Sequence, residues 1–326
     1  MLDLARLQRI RLSRRPLGQV LVANLGLRFD YAFPRKTDIT LEGLEHLQTC
    51  RPVFIAMNHT DRYNYWPFQY AMFRRGMRFT ATWVKGKYYE TGWMGWFMDQ
   101  TNNIPLPSRG YVISTEFRRV VGRPPTKDEY RLLRDLVDRR GQGVPPEGSD
   151  GDGVRRLYAG STPEVFLAGF DQLFDQMMGE VVRLTHDALT LHDCHVLVFP
   201  QGTRSKRLAR GLTGLMQVAQ HLGVDIVPVG CNGSDGCYPG GSPFSKGGPI
   251  VYRIGAPLRL DGPELGPHRV TSPFAPFSHA ATRDHGAAFQ AATEVVMNHI
   301  DGLLDPDYRF GESRASDGVR EMERFL

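Results

Sequence analysis

Two short apolar runs, each cut off by a polar turn, constrain this chain more than any bulk property. Val53-Phe-Ile-Ala-Met57 ends at Asn58-His59, and Val196-Leu-Val-Phe199 ends at Pro200-Gln-Gly-Thr-Arg-Ser205. Each run reads as a strand, and helical spacing follows each, through Tyr65 to Arg75 and around Leu212–Leu222. Further strands are expected at Asp38–Leu41, Arg78–Lys85, Asp225–Val229 and over 250–258. A short helix is expected over Tyr88–Phe97, a long one over Pro163–Leu191 and a closing one over Ala287–Leu304. Strands that alternate with helices imply an α/β domain. Both polar turns then lie at strand-to-helix junctions, where side chains stand exposed above a sheet.

The chain divides into four stretches. Residues 1–35 form a basic amphipathic helical segment: Arg6, Arg9, Arg11, Arg14 and Arg15 precede Pro16, a first-turn proline, and Leu17, Val20, Leu21, Asn24, Leu25 and Arg28 then follow helical spacing. This segment either packs on the domain or lies on anionic lipid, and the two can coexist. Residues 36–305 make up the main domain, interrupted by an insertion or lid over 116–165. Within that insertion Glu116–Arg140 is charged and helix-prone, and the glycine-, proline- and acid-rich 141–153 reads as a mobile loop. Residues 306–326 are a polar tail.

Composition narrows the partners. A hydrophobic share of 41% supports a proper core, and a net charge of +5 favours an anionic partner: membrane, phosphorylated substrate or nucleic acid. No nucleic-acid-binding motif is present, so nucleic acid is not expected. The four cysteines form no CxxC pair and point to a reducing cytosol. No secretory signal is evident, and no stretch approaches the ~20 apolar residues of a spanning helix, so the chain is not expected to cross a membrane; the basic amphipathic segment makes a peripheral position on the inner face of a membrane the expectation. His186, His192 and His195 lack supporting carboxylate spacing, and no metal is expected. Trp83, Tyr88, Tyr89, Trp93, Trp96 and Phe97 read as core, as the lining of a tunnel for an apolar chain or as an interfacial face.

His59 is the candidate general base, because its ordinary pKa of about 6.5 lies near working pH. A base of this kind needs a group that accepts a hydrogen bond from its other ring nitrogen. Asn64, at the start of the next helix, is in reach, and Asp61 is the alternative. Asn64 offers an oxygen but no negative charge, and its amide can also donate to the ring and favour the other tautomer.

Four blocks in order resemble the glycerolipid acyltransferase family, the lysophosphatidic-acid and glycerol-phosphate acyltransferases. They are Asn58-His59 with position 64, Asn103-Ile-Pro-Leu-Pro-Ser-Arg109, Phe199-Pro-Gln-Gly-Thr-Arg-Ser205 and Asp225-Ile-Val-Pro-Val229. The family usually has Asp where Asn64 stands and Glu where Gln201 stands. The resemblance implies a mixed, mostly parallel sheet flanked by helices. It implies that His59 deprotonates an acceptor hydroxyl, which attacks the thioester of acyl-CoA or acyl carrier protein, with no further cofactor. The acceptor would be a lysophospholipid or a related phosphorylated molecule, met at an anionic membrane surface. Arg109 and Arg204 would contact phosphate, Gln201 and Ser205 would belong to the acceptor site, and N–H groups of Gly202 and Thr203 would meet an oxyanion or phosphate. Lys206, Arg207 and Arg210 add positive charge or form a solvated face. Two carboxylate-to-amide exchanges leave a second reading, a lipid- or acyl-carrier-binding protein with little turnover. The insertion leaves a third, acyl transfer to a glycolipid or other non-glycerolipid acceptor.

Overall fold

The computed structural model describes residues 2–48, 51–138, 152–158 and 162–316. Its seven-stranded sheet comprises β1 (Thr37–Glu42), β2 (Phe54–Met57), β3 (Thr80–Lys85), β4 (Asn103–Leu106), β5 (His195–Val198), β6 (Ile226–Asn232) and β7 (Gly248–Ile254). The strand order is β1-β7-β6-β2-β5-β3-β4. Every neighbouring pair is parallel except β6–β7. The fold is therefore α/β with a mixed, mostly parallel sheet flanked by helices, as expected.

The central strands are short and apolar because both of their faces are covered. Every residue of β2 and β5 is buried. Phe54 and Ala56 face one core cluster, and Ile55 and Met57 face the other, as the two-residue period of a strand requires. The first cluster holds the 28-residue helix Pro163–Thr190, whose Phe170, Phe174, Met177 and Val181 are buried. The second lies under helix Tyr65–Arg74, which contributes Phe68 and Met72. Parallel neighbours need crossovers. Helix Tyr65–Arg74 carries the chain from β2 to β3, and helix Gly214–Leu222 carries it from β5 to β6.

The insertion is packed helix where it is described. Leu133, Leu136 and Val137 of helix Lys127–Asp138 are buried in the first core cluster with Val154 of helix Asp152–Tyr158. The loop expected over 141–153 lies outside the described residues up to position 151.

The N-terminal segment has two helical parts, the second beginning at Pro16, its N-cap. Helix Leu4–Arg9 sends Leu7 into the first core cluster, flanked there by Leu2 and Ile10, and Arg6 pairs with Asp99. After Pro16 the chain runs helically through Leu17–Leu21, a π-helical turn Val22–Leu27 and Arg28–Asp30. Gln19 fastens this part to the sheet, its Nε2 donating to the Thr80 and Thr101 carbonyls at 2.8 Å each. Leu17, Leu21, Leu25, Phe29 and Phe33 remain exposed, between 56% and 78%. Among the described residues no helix is long and apolar enough to cross a membrane.

Candidate active site

β2 and β5 are parallel neighbours with Phe54 opposite Val196 and Ala56 opposite Val198, so both polar turns emerge side by side from the same edge of the sheet. Two chain segments more than a hundred residues apart thereby meet at the carboxyl ends of adjacent strands.

Three contacts orient His59. Its Nδ1 lies 3.1 Å from Asn64 Oδ1. Its ring stacks on Phe199, the residue that ends the second apolar run, at 4.1 Å between centroids and 16° between planes. Its carbonyl accepts from the Ser205 N–H at 2.9 Å. Asn64 is fully buried, and its Nδ2 donates to the Asn58 carbonyl at 2.8 Å. That donation decides which way the amide faces: the oxygen is left toward the imidazole, so Nδ1 carries the proton and Nε2 keeps its lone pair. An asparagine here thus selects the tautomer a base needs, although it brings no charge. Burial, with Arg204 and Lys85 nearby, lowers the His59 pKa to about 3, against a smaller upward effect of the Asn64 hydrogen bond. The ring is neutral across the physiological range.

Asp61 has a different job. Its Oδ1 accepts from the Tyr63 N–H at 2.8 Å and its Oδ2 from the Thr60 hydroxyl at 3.0 Å, so it closes the turn locally. Burial raises its pKa to about 6. The Nδ1 contact that Asp61 was expected to compete for is made by Asn64.

Gln201 joins the two turns. Its Oε1 accepts from the His59 N–H at 3.3 Å, and its Nε2 donates to the Thr203 carbonyl at 3.0 Å and the His59 carbonyl at 3.4 Å. A carboxylate could make the first contact and neither of the others. Gly202 sits at φ +68°, and a Cβ there would come within 2.6 Å of Leu212. The Gly202 N–H donates to the Phe199 carbonyl and the Thr203 N–H to the Gln201 carbonyl, at 3.0 and 2.8 Å. Both donors expected to meet an oxyanion are thus turned inward to shape the turn.

The charges around His59 are mostly positive. Arg204, Lys85 and Lys87 each have a pKa lowered first by burial, and Arg204 lowers both lysines further. Arg62 acts on Lys87 and Arg204, and its Nε is buried with no hydrogen-bond partner among the described residues. Four cations from three segments therefore sit within electrostatic reach of one another, an arrangement that favours a bound anion. Lys85 ends β3, the neighbour of β5, and Lys87 lies two residues beyond it; only the strand order brings them near Arg204. Asn58 was quoted for its place in the motif, but its structural part was not foreseen: its side chain accepts from the Cys231 N–H at 2.7 Å and donates to the Cys231 carbonyl at 2.9 Å, tying the turn to β6.

Other expected residues go elsewhere. Arg109 lies over the Phe174 ring at 5.2 Å and donates to the Phe277 carbonyl at 3.4 Å, toward the long helix. Lys206 faces Asp307 and Tyr308 of the tail. Ser205 is buried, and its N–H is the donor to His59. His195 is buried in β5, where Nδ1 accepts the Val53 N–H. The aromatic stretch divides: Trp83 and Tyr89 are core, while Trp93 and Trp96 are 69% and 63% exposed. Phe97 helps to line a cavity of about 30 Å³ beneath the N-terminal segment, beside Tyr65, Trp66 and Val22. That volume admits water and no acyl chain.

No family model and no curated protein matches the chain. Among solved structures it is similar to the crystal structure of the 1-acyl-sn-glycerophosphate (LPA) acyltransferase, PlsC, from Thermotoga maritima, with 15% sequence identity, a TM-score of 0.46, and coverage of 87% of this chain and 79% of that one.

Proposed function

We propose that this chain is an O-acyltransferase that moves a fatty acyl group from acyl-CoA or acyl carrier protein to a hydroxyl of a lysophospholipid or a related phosphorylated acceptor. The observation that carries this reading is the His59–Asn64 pair, with Nε2 left as a base, set among Arg62, Lys85, Lys87 and Arg204. Near-intact signature blocks support it. In the reaction His59 Nε2 takes the proton of the acceptor hydroxyl as its oxygen attacks the thioester carbonyl. The tetrahedral intermediate collapses, the carbon–sulfur bond breaks, and the thiolate receives the proton from the imidazolium. Burial is the main cause of the low His59 pKa, and phosphate bound by Arg204 would offset the smaller lowering by that cation and so strengthen the base. The exposed row Leu17, Leu21, Leu25, Phe29 and Phe33, with Arg11, Arg15, Arg28 and Arg35 along the same segment, is the face that meets an anionic membrane.

The test uses the purified full chain with acyl-CoA and acyl carrier protein donors and a panel of acceptors, reading released thiol and acylated product. Acceptor-dependent release that falls ~100-fold or more in His59→Ala is the expected result. Equal rates for parent and variant, with saturable donor or acceptor binding, would instead favour the binding-only reading that the amides at 64 and 201 motivate.

A further inference from the structure

A second group of cations lies away from His59. A groove of about 400 Å³ opens between the end of helix Tyr65–Arg74, the approach to β1 and the turn after Asp30, and Arg28, Lys36, Arg74 and Arg75 line it. Asn64 caps the N-terminal end of that helix and Arg74 is its last residue, so the groove stands about 15 Å from the candidate base along the helix rise.

The cations are only partly answered by the protein. Lys36 pairs with Asp38 at 2.5 Å, and Arg75 keeps one nitrogen on the Ala71 carbonyl. Among the described residues the side chains of Arg28 and Arg74 make no hydrogen bond or ion pair. The nearby Asp30 is turned away, accepting from the Ser245 N–H. The floor is firm: Tyr31 and Tyr70 meet edge to face at 5.1 Å, and the Tyr31 hydroxyl is bound to that of Tyr238 at 2.9 Å. Next in sequence to the lining residues Arg28 and Ala32 come Phe29 and Phe33, 64% and 78% exposed, the last members of the apolar row. A ligand that fits places a negative group among the cations and hydrocarbon over the phenylalanines. That is a phospholipid with an anionic headgroup.

We propose that this groove holds the headgroup phosphate of an anionic phospholipid and so fixes how the chain sits on a bilayer. The proposal rests on the reading that the apolar row lies on membrane. It adds a lipid site distinct from the acceptor site at His59.

The experiment is co-sedimentation of the full chain with vesicles of phosphatidylcholine alone or with added phosphatidylglycerol, for the parent, for Arg28→Gln/Arg74→Gln, and for Arg118→Gln/Arg131→Gln, which removes the same charge elsewhere. The parent should prefer phosphatidylglycerol. The groove variant should lose about five-fold of that preference per cation removed, and the control variant should keep it. Short-chain, water-soluble phosphatidylglycerol should protect the groove from hydrogen exchange in the parent and not in the groove variant, and inorganic phosphate should do so far less. Equal preference in parent and groove variant, equal loss in the control, or protection by inorganic phosphate as strong as by lipid would overturn the proposal. If the parent binds neither vesicle, the membrane reading beneath it fails as well. Turnover of water-soluble donor and acceptor, unchanged in the groove variant, separates both results from a failure of the acyltransfer reading.

Discussion

At the scale of single residues, the central question is what an asparagine at 64 does to a histidine base. In the serine-protease case, Asp→Asn beside the catalytic histidine costs ~10⁴ in turnover because the ring takes the wrong tautomer. That loss does not arise here, since the Asn64 amide is committed to the Asn58 carbonyl and its oxygen faces Nδ1. What is missing is the charge that would stabilise the imidazolium. Asn64→Asp supplies it, and the direction follows from the protonation states. The neutral ring is the working form, so activity falls as pH drops through the His59 pKa. With that pKa lowered to about 3, the parent should show no histidine-dependent acid limb above pH 5 in kcat/KM. A carboxylate 3.1 Å from Nδ1 raises the pKa and moves the limb upward, with a gain of ~10–100-fold in turnover at pH 8. pH–rate profiles of the two proteins check this. An acid limb that does not move would mean that another group is the base.

At the scale of elements, the site depends on two turns held in register by one side chain. Gln201 donates to the Thr203 and His59 carbonyls and accepts the His59 N–H. Gln201→Glu removes both donations and sets a carboxylate against two carbonyl oxygens. The expected cost is about 1–3 kcal/mol, seen as a lower midpoint in denaturant unfolding. Turnover should fall with it, because the same turns carry His59 and Arg204. A variant as stable as the parent would show that the clamp is not needed. The elements themselves were legible to different degrees. β2 and β5 stood out because both faces are buried and the runs are uniformly apolar. β4 (Asn103–Leu106) did not, since it is short and holds Pro105, which lacks an N–H and which the edge position of the strand accommodates. Helix His279–Gly302 begins eight residues before the expected Ala287: its start is set by Ser278, which caps the Ala281 N–H, ahead of residues too polar and small to show apolar spacing. The His59–Asn64 pair could be read from local spacing. The cluster of Arg62, Lys85, Lys87 and Arg204 could not, because it exists only once β5 is inserted between β2 and β3.

At the scale of the whole molecule, the N-terminal segment links an exposed apolar row to the sheet. A four-residue apolar repeat drifts around an α-helix of 3.6 residues per turn. The wider π-helical turn over Val22–Leu27 rotates less per residue and offsets that drift, keeping Leu17, Leu21, Leu25 and Phe29 in one exposed row. The opposite side of the same segment, with Val22, Ala23 and Leu27, walls the cavity next to Tyr65, whose ring meets Phe199 at 6.1 Å beside the candidate base. Burying one Leu side chain contributes about 1.5–3 kcal/mol, so in the proposed membrane contact two leucines of the row carry a large share of the binding. Leu21→Glu/Leu25→Glu removes that contribution and adds charge repelled by anionic lipid. Vesicle binding should fall ~100-fold or more, and so should acyl transfer to an acceptor embedded in those vesicles. Both side chains point to solvent, so thermal stability should match the parent, and turnover of a short-chain, water-soluble acceptor should stay within about two-fold, the span of a surface change of ±0.5 kcal/mol. Equal loss on both acceptors would mean that the row supports the site through the protein rather than through the membrane. Retained activity on vesicles would mean that another face, with Trp93 and Trp96 the next most exposed aromatic pair, carries the contact.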